Sequence, residues 1–439
     1  MAPATAQATR VRYWVIVFAV ALAVVTYIDR VSISQAGPSI THDLGLTKVQ
    51  MGWAFSAFGW AYALFEMPGG YLGDWLGPRS VLLRIVMWWS FFTAATGWAW
   101  NFTSLAVTRF LFGAGEAGCF PNLTKVFTIW LPEKEKVRAQ GIMWLSARWG
   151  GAFTPPLVAL VMSYIGWRHA FEIFGVLGIV WAVAFFRWYR NDPLENPHMN
   201  QAERDLLRHS ASMASGHGDV PWGHFLRSPQ VWMLCWQYFS LSYGWYFYIT
   251  WLPTYLKEAR GLDVTSMALF STLPLFFGGL ANPVSVAVGN WLVRRTGDVR
   301  WTRRFLAYIG FAGASGFLIF STTVRDPLAA MLAIGMASFC NDLVMPPAWG
   351  AAMDVGGKYA GTLSGAMNMW GNVGGALGPL AISYILRWTG NNWNATFYVS
   401  AAVYLTGIIF WRFLDPVTPL GNAGGSPEGR PAAGEKAHS

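Results

Sequence analysis

The sequence predicts an all-α membrane protein, and three observations predict it. Hydrophobic residues make up 54% of the 439-residue chain and charged ones only 12%, about half the charged share of an ordinary soluble domain. The apolar residues form long runs with polar punctuation, each long enough to cross a ~30 Å hydrocarbon layer as a helix. The basic residues are also sorted as a membrane would sort them. Most of the 31 lysines and arginines fall on one side of the runs if both termini share it, among them Arg10, Arg12, Arg79, Arg84, Lys136, Arg138, five between Arg294 and Arg304, Lys358 and Arg412. The positive-inside rule makes that side the cytoplasm. The net charge of +9 is therefore read as topology, with the lipid bilayer as partner and no nucleic acid expected. The cell inner (plasma) membrane, with both termini cytoplasmic, is the expected location.

Twelve spans are expected, at about 12–34, 50–72, 79–100, 104–127, 139–163, 167–189, 231–256, 266–293, 303–323, 328–353, 360–387 and 393–414. A polar leader, 1–11, precedes the first span, which carries Asp29 and Arg30. The second carries Tyr62 and Glu66, and GYLGDWLGPR (70–79) leads into the third. The fourth contains RFLFGAGEAGCFP, 109–121. Arg109 and Glu116 are seven residues apart there, nearly two turns, so both leave one helix face about 10.5 Å apart along the axis. That is too far for a direct ion pair. Each charge must find its partner on another helix, in a water-filled cavity or on a ligand.

The fifth span places Arg148 in the small-residue stretch SARWGGAFTPP, and the sixth closes a first bundle, 12–189. The longest polar segment, 190–230, divides the spans six and six. A short helix around Glu203 to His209 followed by a flexible Ser/Gly linker is expected there. The second bundle, 231–414, carries Tyr243 and Tyr246 in its first span, Asn341 and Asp342 in its fourth, and Asn368 and Asn372 in its fifth. The tail, 415–439, is Gly, Pro and Ala rich and expected to be disordered and cytoplasmic. Cys119, Cys235 and Cys340 lie in apolar spans without metal-type spacing and read as free buried thiols. No metal site is expected.

The two halves resemble each other. GIMWLSARWGGAFTP (141–155) aligns without gaps with GAMNMWGNVGGALGP (365–379), and WRHAF (167–171) echoes WNATF (393–397). Duplicated halves are the mark of many secondary transporters. The alignment sets Arg148 opposite Asn372.

GYLGDWLGPR resembles the loop between the second and third spans of the major facilitator superfamily. In that loop a glycine turn brings helices together and an acidic residue pairs across the cytoplasmic gate. Asp74 and Arg79 match it, while the arginine usual after the acid is Trp75. RFLFGAGEAGCFPN, TIWLP, Tyr27-Ile28-Asp29-Arg30, YFYITWLPTYL and SGAMNMWGNVGGALGP together resemble the anion:cation symporter family within that superfamily, which includes bacterial hexuronate, galactonate, glucarate and phthalate transporters and the sialin-type carriers. The resemblance covers about 12–414. It implies two six-helix bundles rocking around a central site, with no cofactor besides protons as coupling ion. It also implies that the arginine matching Arg109 is tied to substrate or proton coupling, that the acids matching Asp29 and Glu116 are protonation sites, and that Tyr62 and aromatic residues of the seventh span line the substrate.

The residues support a parallel reading. A charge inside a bilayer costs several kcal/mol unless it is paired, hydrated or neutralised, and guanidinium is the group that grips a carboxylate bidentately. Arg30 and Arg109 are the candidate anion binders, and Glu116 and Asp29 the candidate proton carriers. Desolvation favours the neutral carboxyl and a nearby arginine the charged one, so an anion arriving at the arginines alters proton affinity. Arg148 either binds a second acidic or hydroxyl group of the substrate or pairs with Asp342. Tyr62, Tyr243, Tyr246, Asn341, Asn368 and Asn372 are candidate partners for sugar hydroxyls, and Glu66 reads as structural.

The expected activity is proton-coupled symport of a small organic anion into the cytoplasm, first a sugar acid (hexuronate, aldonate or aldarate). The alternative is an aromatic or dicarboxylic acid symporter, phthalate- or tartrate-like, or an anion exchanger. A monomer is the expected unit. No clustered nucleophile, metal set or acid pair suggests an enzyme.

Overall fold

The computed structural model describes residues 8–212, 222–356 and 360–420. The leader before residue 8 and the expected linker over 213–221 lie outside the described residues, as does most of the expected tail, 421–439. The described chain is helical almost throughout, in the order α1 (Trp14–Asp43), α2 (Lys48–Leu76), α3 (Pro78–Gly97), α4 (Phe102–Glu116), α5 (Cys119–Trp130), α6 (Glu133–Trp188), α7 (Gln201–Ser212), α8 (Trp222–Arg227), α9 (Pro229–Thr250), α10 (Leu252–Glu258), α11 (Val264–Thr296), α12 (Val299–Thr323), α13 (Pro327–Leu343), α14 (Met345–Gly356), α15 (Ala360–Trp388) and α16 (Trp393–Phe413).

These helices form the twelve expected spans. The fourth is α4 with α5, the seventh α9 with α10, and the tenth α13 with α14. The fifth and sixth run together as α6, which turns at Gly166, with φ 73° and ψ 171°. A residue with a Cβ is strained in that conformation. The expected loop after the second span is mostly helix: α2 continues to Leu76, and only Gly77, at φ 78°, separates it from α3.

Local chemistry sets the helix starts. Thr47 accepts from the Gln50 N–H while the Gln50 side chain accepts from the Thr47 N–H at 2.8 Å, a reciprocal cap for donors that have no intrahelical partner. Asn101 and Ser104 repeat the arrangement before α4. Asp263, Asp298, Asp326 and Asn392 cap α11, α12, α13 and α16 with their side chains.

Among the described residues, seven helical stretches are long and apolar enough to cross a membrane by length and composition alone. The spans outside that set are α2, α4 with α5, α9 with α10, and α15. They bring Tyr62, Glu66, Arg109, Glu116, Tyr246, Asn368 and Asn372 to the interior.

Within the first half, α1 and α3 pack on α6 and α2 on α4; within the second, α9 packs on α15, α11 and α12 on α13, and α12 on α16. The halves meet along two seams, α2 on α15 and α6 on α11. At the first seam a Cβ on Gly59 would stand 2.8 Å from the Ala376 Cα. Glycine thus lets the two backbones touch, as packing inside lipid requires. Trp149 stacks on Phe276 across the second seam, with centroids 6.0 Å apart.

Just before α1, Arg12 forks onto Glu135 with two 3.0 Å hydrogen bonds and donates to Glu203 at 3.0 Å. The buried Glu203 carboxylate also accepts from Thr9 Oγ1 and from the Val11 and Arg12 N–H groups. The leader is thereby clasped to α7 and to the start of α6. Residues 415–420, assigned to the tail by composition, are held instead: Arg303 donates to the Pro416 carbonyl at 2.6 Å, and Arg300 lies 2.9 Å from Asp415.

Candidate substrate and coupling site

Two neighbours on α1 begin the site. Asp29 and Arg30 diverge by ~100° around the helix, and the packing separates their surroundings. Asp29 is fully buried with no hydrogen-bond donor in bonding geometry on either carboxylate oxygen. The groups facing it are Trp89 and Thr93 of α3, with Arg109 of α4 and Glu116. Arg30 turns the other way and pairs with Glu116 through Nε and Oε1. Its guanidinium lies 4.8 Å from the Tyr62 ring centroid, with Tyr27, Phe58 and Phe120 at 5.3–5.7 Å. Aromatic faces attract a desolvated cation, so the charge is held by four rings and one carboxylate.

Arg109 is different. Its guanidinium lies 4.3 Å from the Phe112 centroid and 5.5 Å from that of Phe58, but Nε and Nη1 are buried without a hydrogen-bond partner. The question raised by the fourth span therefore has two answers. Glu116 found its partner on another helix, and Arg109 faces Asp29 and Glu116 electrostatically with donors still free.

A second group spans the α2–α15 seam. The Glu66 carboxylate accepts from the Nδ2 groups of Asn368 and Asn372, and Tyr246 donates to Asn372 Oδ1 at 2.9 Å. A third group lies nearer the α6–α11 seam. Arg148 Nη2 donates to Asp342 Oδ1 at 3.2 Å, and Nε stands 3.2 Å from Oδ2. The Trp245 centroid is 4.4 Å from the same guanidinium, and Asn341 donates to Asp342 at 2.9 Å. Each repeat thus sends its matched polar residue, Arg148 or Asn372, to an acid in the opposite half.

Of the expected site residues, Asp29, Arg30, Tyr62, Arg109 and Glu116 lie together. Tyr246, Asn368 and Asn372 join them across the seam, and Arg148 and Asn341 meet at Asp342. Tyr243 is set apart: it is buried with its ring 6.4 Å from that of Phe239, one turn earlier on α9. Arg79 donates twice to the Phe186 carbonyl and stacks 4.3 Å over the Phe186 ring, joining α3 to the end of α6. The side chain of Asp74, the other expected gate residue, lies outside the described residues.

Glu66, read as structural from sequence, bonds the candidate residues Asn368 and Asn372 across the seam, and Trp245, an aromatic residue of the seventh span, lies against Arg148. One signal pointed to Glu66: it is four residues, about one turn, beyond Tyr62 and so shares its face.

The sequence profile of the Major Facilitator Superfamily matches residues 19–379. A probable sulfoacetate transporter of Cupriavidus necator is 35% identical over 397 residues, 90% of this chain and 91% of that protein. A probable galactarate/D-glucarate transporter of Escherichia coli is 29% identical, over 89% of this chain and 90% of its own. The hexuronate transporter of Bacillus subtilis is 26% identical, over 94% and 97%. A solved bacterial homolog of the human lysosomal transporter Spinster, inward-facing and occupied, matches with a TM-score of 0.75 at 17% identity over 92% of this chain and 97% of that one. That likeness shows the fold.

Proposed function

This chain belongs to the Major Facilitator Superfamily, and from that membership we propose that it carries a small organic anion into the cytoplasm together with protons, by alternating access. It is a membrane-spanning transporter rather than an enzyme. The observation that carries the proposal is Arg109, a buried guanidinium with two unpartnered donors beside an already paired Arg30–Glu116. A substrate carboxylate or sulfonate supplies the missing acceptor.

Charge balance supplies the coupling. Arg30 and Arg109 are offset by Asp29 and Glu116 when both acids are ionised. Each negative charge that an incoming anion brings is uncompensated in a low-dielectric interior, where it is costly. Taking a proton on Glu116 or Asp29 removes it, so the loaded carrier reorients only when protonated. Glu116 gives up its bond to Arg30 when it takes a proton, and that frees Arg30 for the substrate.

Sugar acids are the first substrate class in this reading, because Tyr62, Tyr246, Asn368 and Asn372 offer hydroxyls and amides beside the arginines. The rings around Arg30 favour the second class, aromatic acids. The names of the relatives add galactarate, glucarate, hexuronate and sulfoacetate to the panel to be tried. The plasma membrane, cytoplasmic termini and a monomeric unit complete the proposal. Uptake of radiolabelled sugar acids, sulfoacetate, phthalate and neutral sugars into proteoliposomes, with and without an inward proton gradient, tests it. Gradient-stimulated entry of one acid class is expected; entry of a neutral sugar alone would overturn it.

A further inference from the structure

Arg148 is the third arginine of the interior, and the central site as proposed does not use it. Arg30 lies within electrostatic reach of both Arg109 and Arg148, so three guanidiniums share one interior. All three carry a buried donor without a hydrogen-bond partner: Nε and Nη1 of Arg109, Nη2 of Arg30 and Nη1 of Arg148.

The contact between Arg148 and Asp342 has the features of an exchangeable pair. Both of its 3.2 Å separations exceed the ~2.7–2.9 Å of a tight charge-assisted bond. The partners stand on opposite halves, α6 and α13, which must separate for the site to open. Asp342 also has support on its own helix. Asn341 donates to it at 2.9 Å, and Ser338, one turn earlier, has a buried hydroxyl without a partner. When Arg148 withdraws, Asp342 keeps one donor and has a second at hand. Besides Asp342, Arg148 stacks on the Trp245 face and has Tyr27 and Tyr238 within electrostatic reach, but no second carboxylate is bonded to it among the described residues.

We propose that Arg148 is a specificity-determining residue that takes the second acidic group of a two-ended anion, in exchange for Asp342, while Arg109 and Arg30 hold the first. This rests on the anion-transport reading above and narrows its substrate class to short chains with an acid at each end, such as aldarates or sulfocarboxylates. A monoanion leaves Arg148 paired to Asp342 and the halves tied. A dianion replaces that tie with one carried wholly by the substrate.

Matched substrates test the inference: glucarate against gluconate, and sulfoacetate against 2-hydroxyethanesulfonate, each pair differing by one carboxylate replaced with a hydroxymethyl group. Affinities are measured by calorimetry on the detergent-solubilised full chain, for the wild type, Arg148→Gln and Asp342→Asn. The wild type is expected to prefer the two-ended member of at least one pair by about tenfold or more, because a site built for a polar group rejects the analogue lacking it. Arg148→Gln should reduce that ratio to about one by weakening the dianion alone. Asp342→Asn should tighten the dianion by releasing Arg148.

Equal wild-type affinity within both pairs, or an unchanged ratio in Arg148→Gln, would overturn the inference and leave anion transport standing. Failure of the wild type to bind any of the four anions would count against both. If Arg148→Gln does not fold, Asp342→Asn decides alone: a dianion bound no more tightly than by the wild type refutes the exchange.

Discussion

Arg109 and Glu116 share one helix face, and what separates their roles is the partner each found. Glu116 is bonded to Arg30, while Arg109 keeps two free donors. A charge-assisted hydrogen bond contributes about 1.5–3 kcal/mol, so Arg109→Ala is expected to weaken anion binding by roughly 10- to 100-fold, with Arg109→Lys intermediate. Calorimetry on the purified protein reads both. The charged residues of the site were legible in the sequence because a charge in an apolar run has few explanations. Their pairing was not legible. Arg148 had two readings of equal standing, and its contact with Asp342 needed α13 packed on α11 and α11 on α6. Tyr243 and Tyr246 looked equivalent, yet three residues of helix send one ring toward Phe239 and the other hydroxyl to Asn372.

Helices break or bend where glycine or a polar residue leaves them a choice. The twelve spans were legible from length and hydropathy, and so was the short helix that became α7. The break inside α6 at Gly166, where φ 73° and ψ 171° leave the helical region, falls between the expected fifth and sixth spans. Gly59 carries a prediction at this scale. Overpacking costs about 1–3 kcal/mol, so Gly59→Leu should push α15 off α2 and shift the conformational equilibrium by roughly 5- to 150-fold. Spin-label distances between the 44–47 and 259–262 loops should lengthen.

The leader clasp gives a second prediction. Hydrogen bonds from Arg12 hold the Glu135 carboxyl below its usual range. A depressed carboxyl stabilises the fold above its unfolded pKa and loses that effect as pH falls through the folded value. The clasp should therefore be intact at neutral pH and weaken only below about pH 4. Glu203→Ala, which removes the acceptor of the Val11 and Arg12 N–H groups, should speed amide exchange there at neutral pH.

The two halves behave as one machine only if the seams between them open and close. Lys48 reaches Glu258 at 2.5 Å and Asn391 at 2.8 Å, joining the start of α2 to both α10 and the α15–α16 turn. An exposed pair contributes only ~1 kcal/mol or less, which suits a latch made and broken in every cycle. Lys48→Glu should favour the form open at this contact, and adding Glu258→Lys should restore the balance, by the same spin-label distances. The duplication was visible in the sequence; the crossing of its matched residues to opposite halves needed the assembled molecule.

The central claim is that an anion and a proton share one buried charge balance. Its most direct test loads proteoliposomes with a pH-sensitive dye and adds the transported anion outside with no imposed gradient. The wild type should acidify the lumen as the anion enters. Glu116→Gln should abolish the acidification while counterflow of preloaded labelled anion continues. Anion entry by the wild type with no change in internal pH would contradict the account.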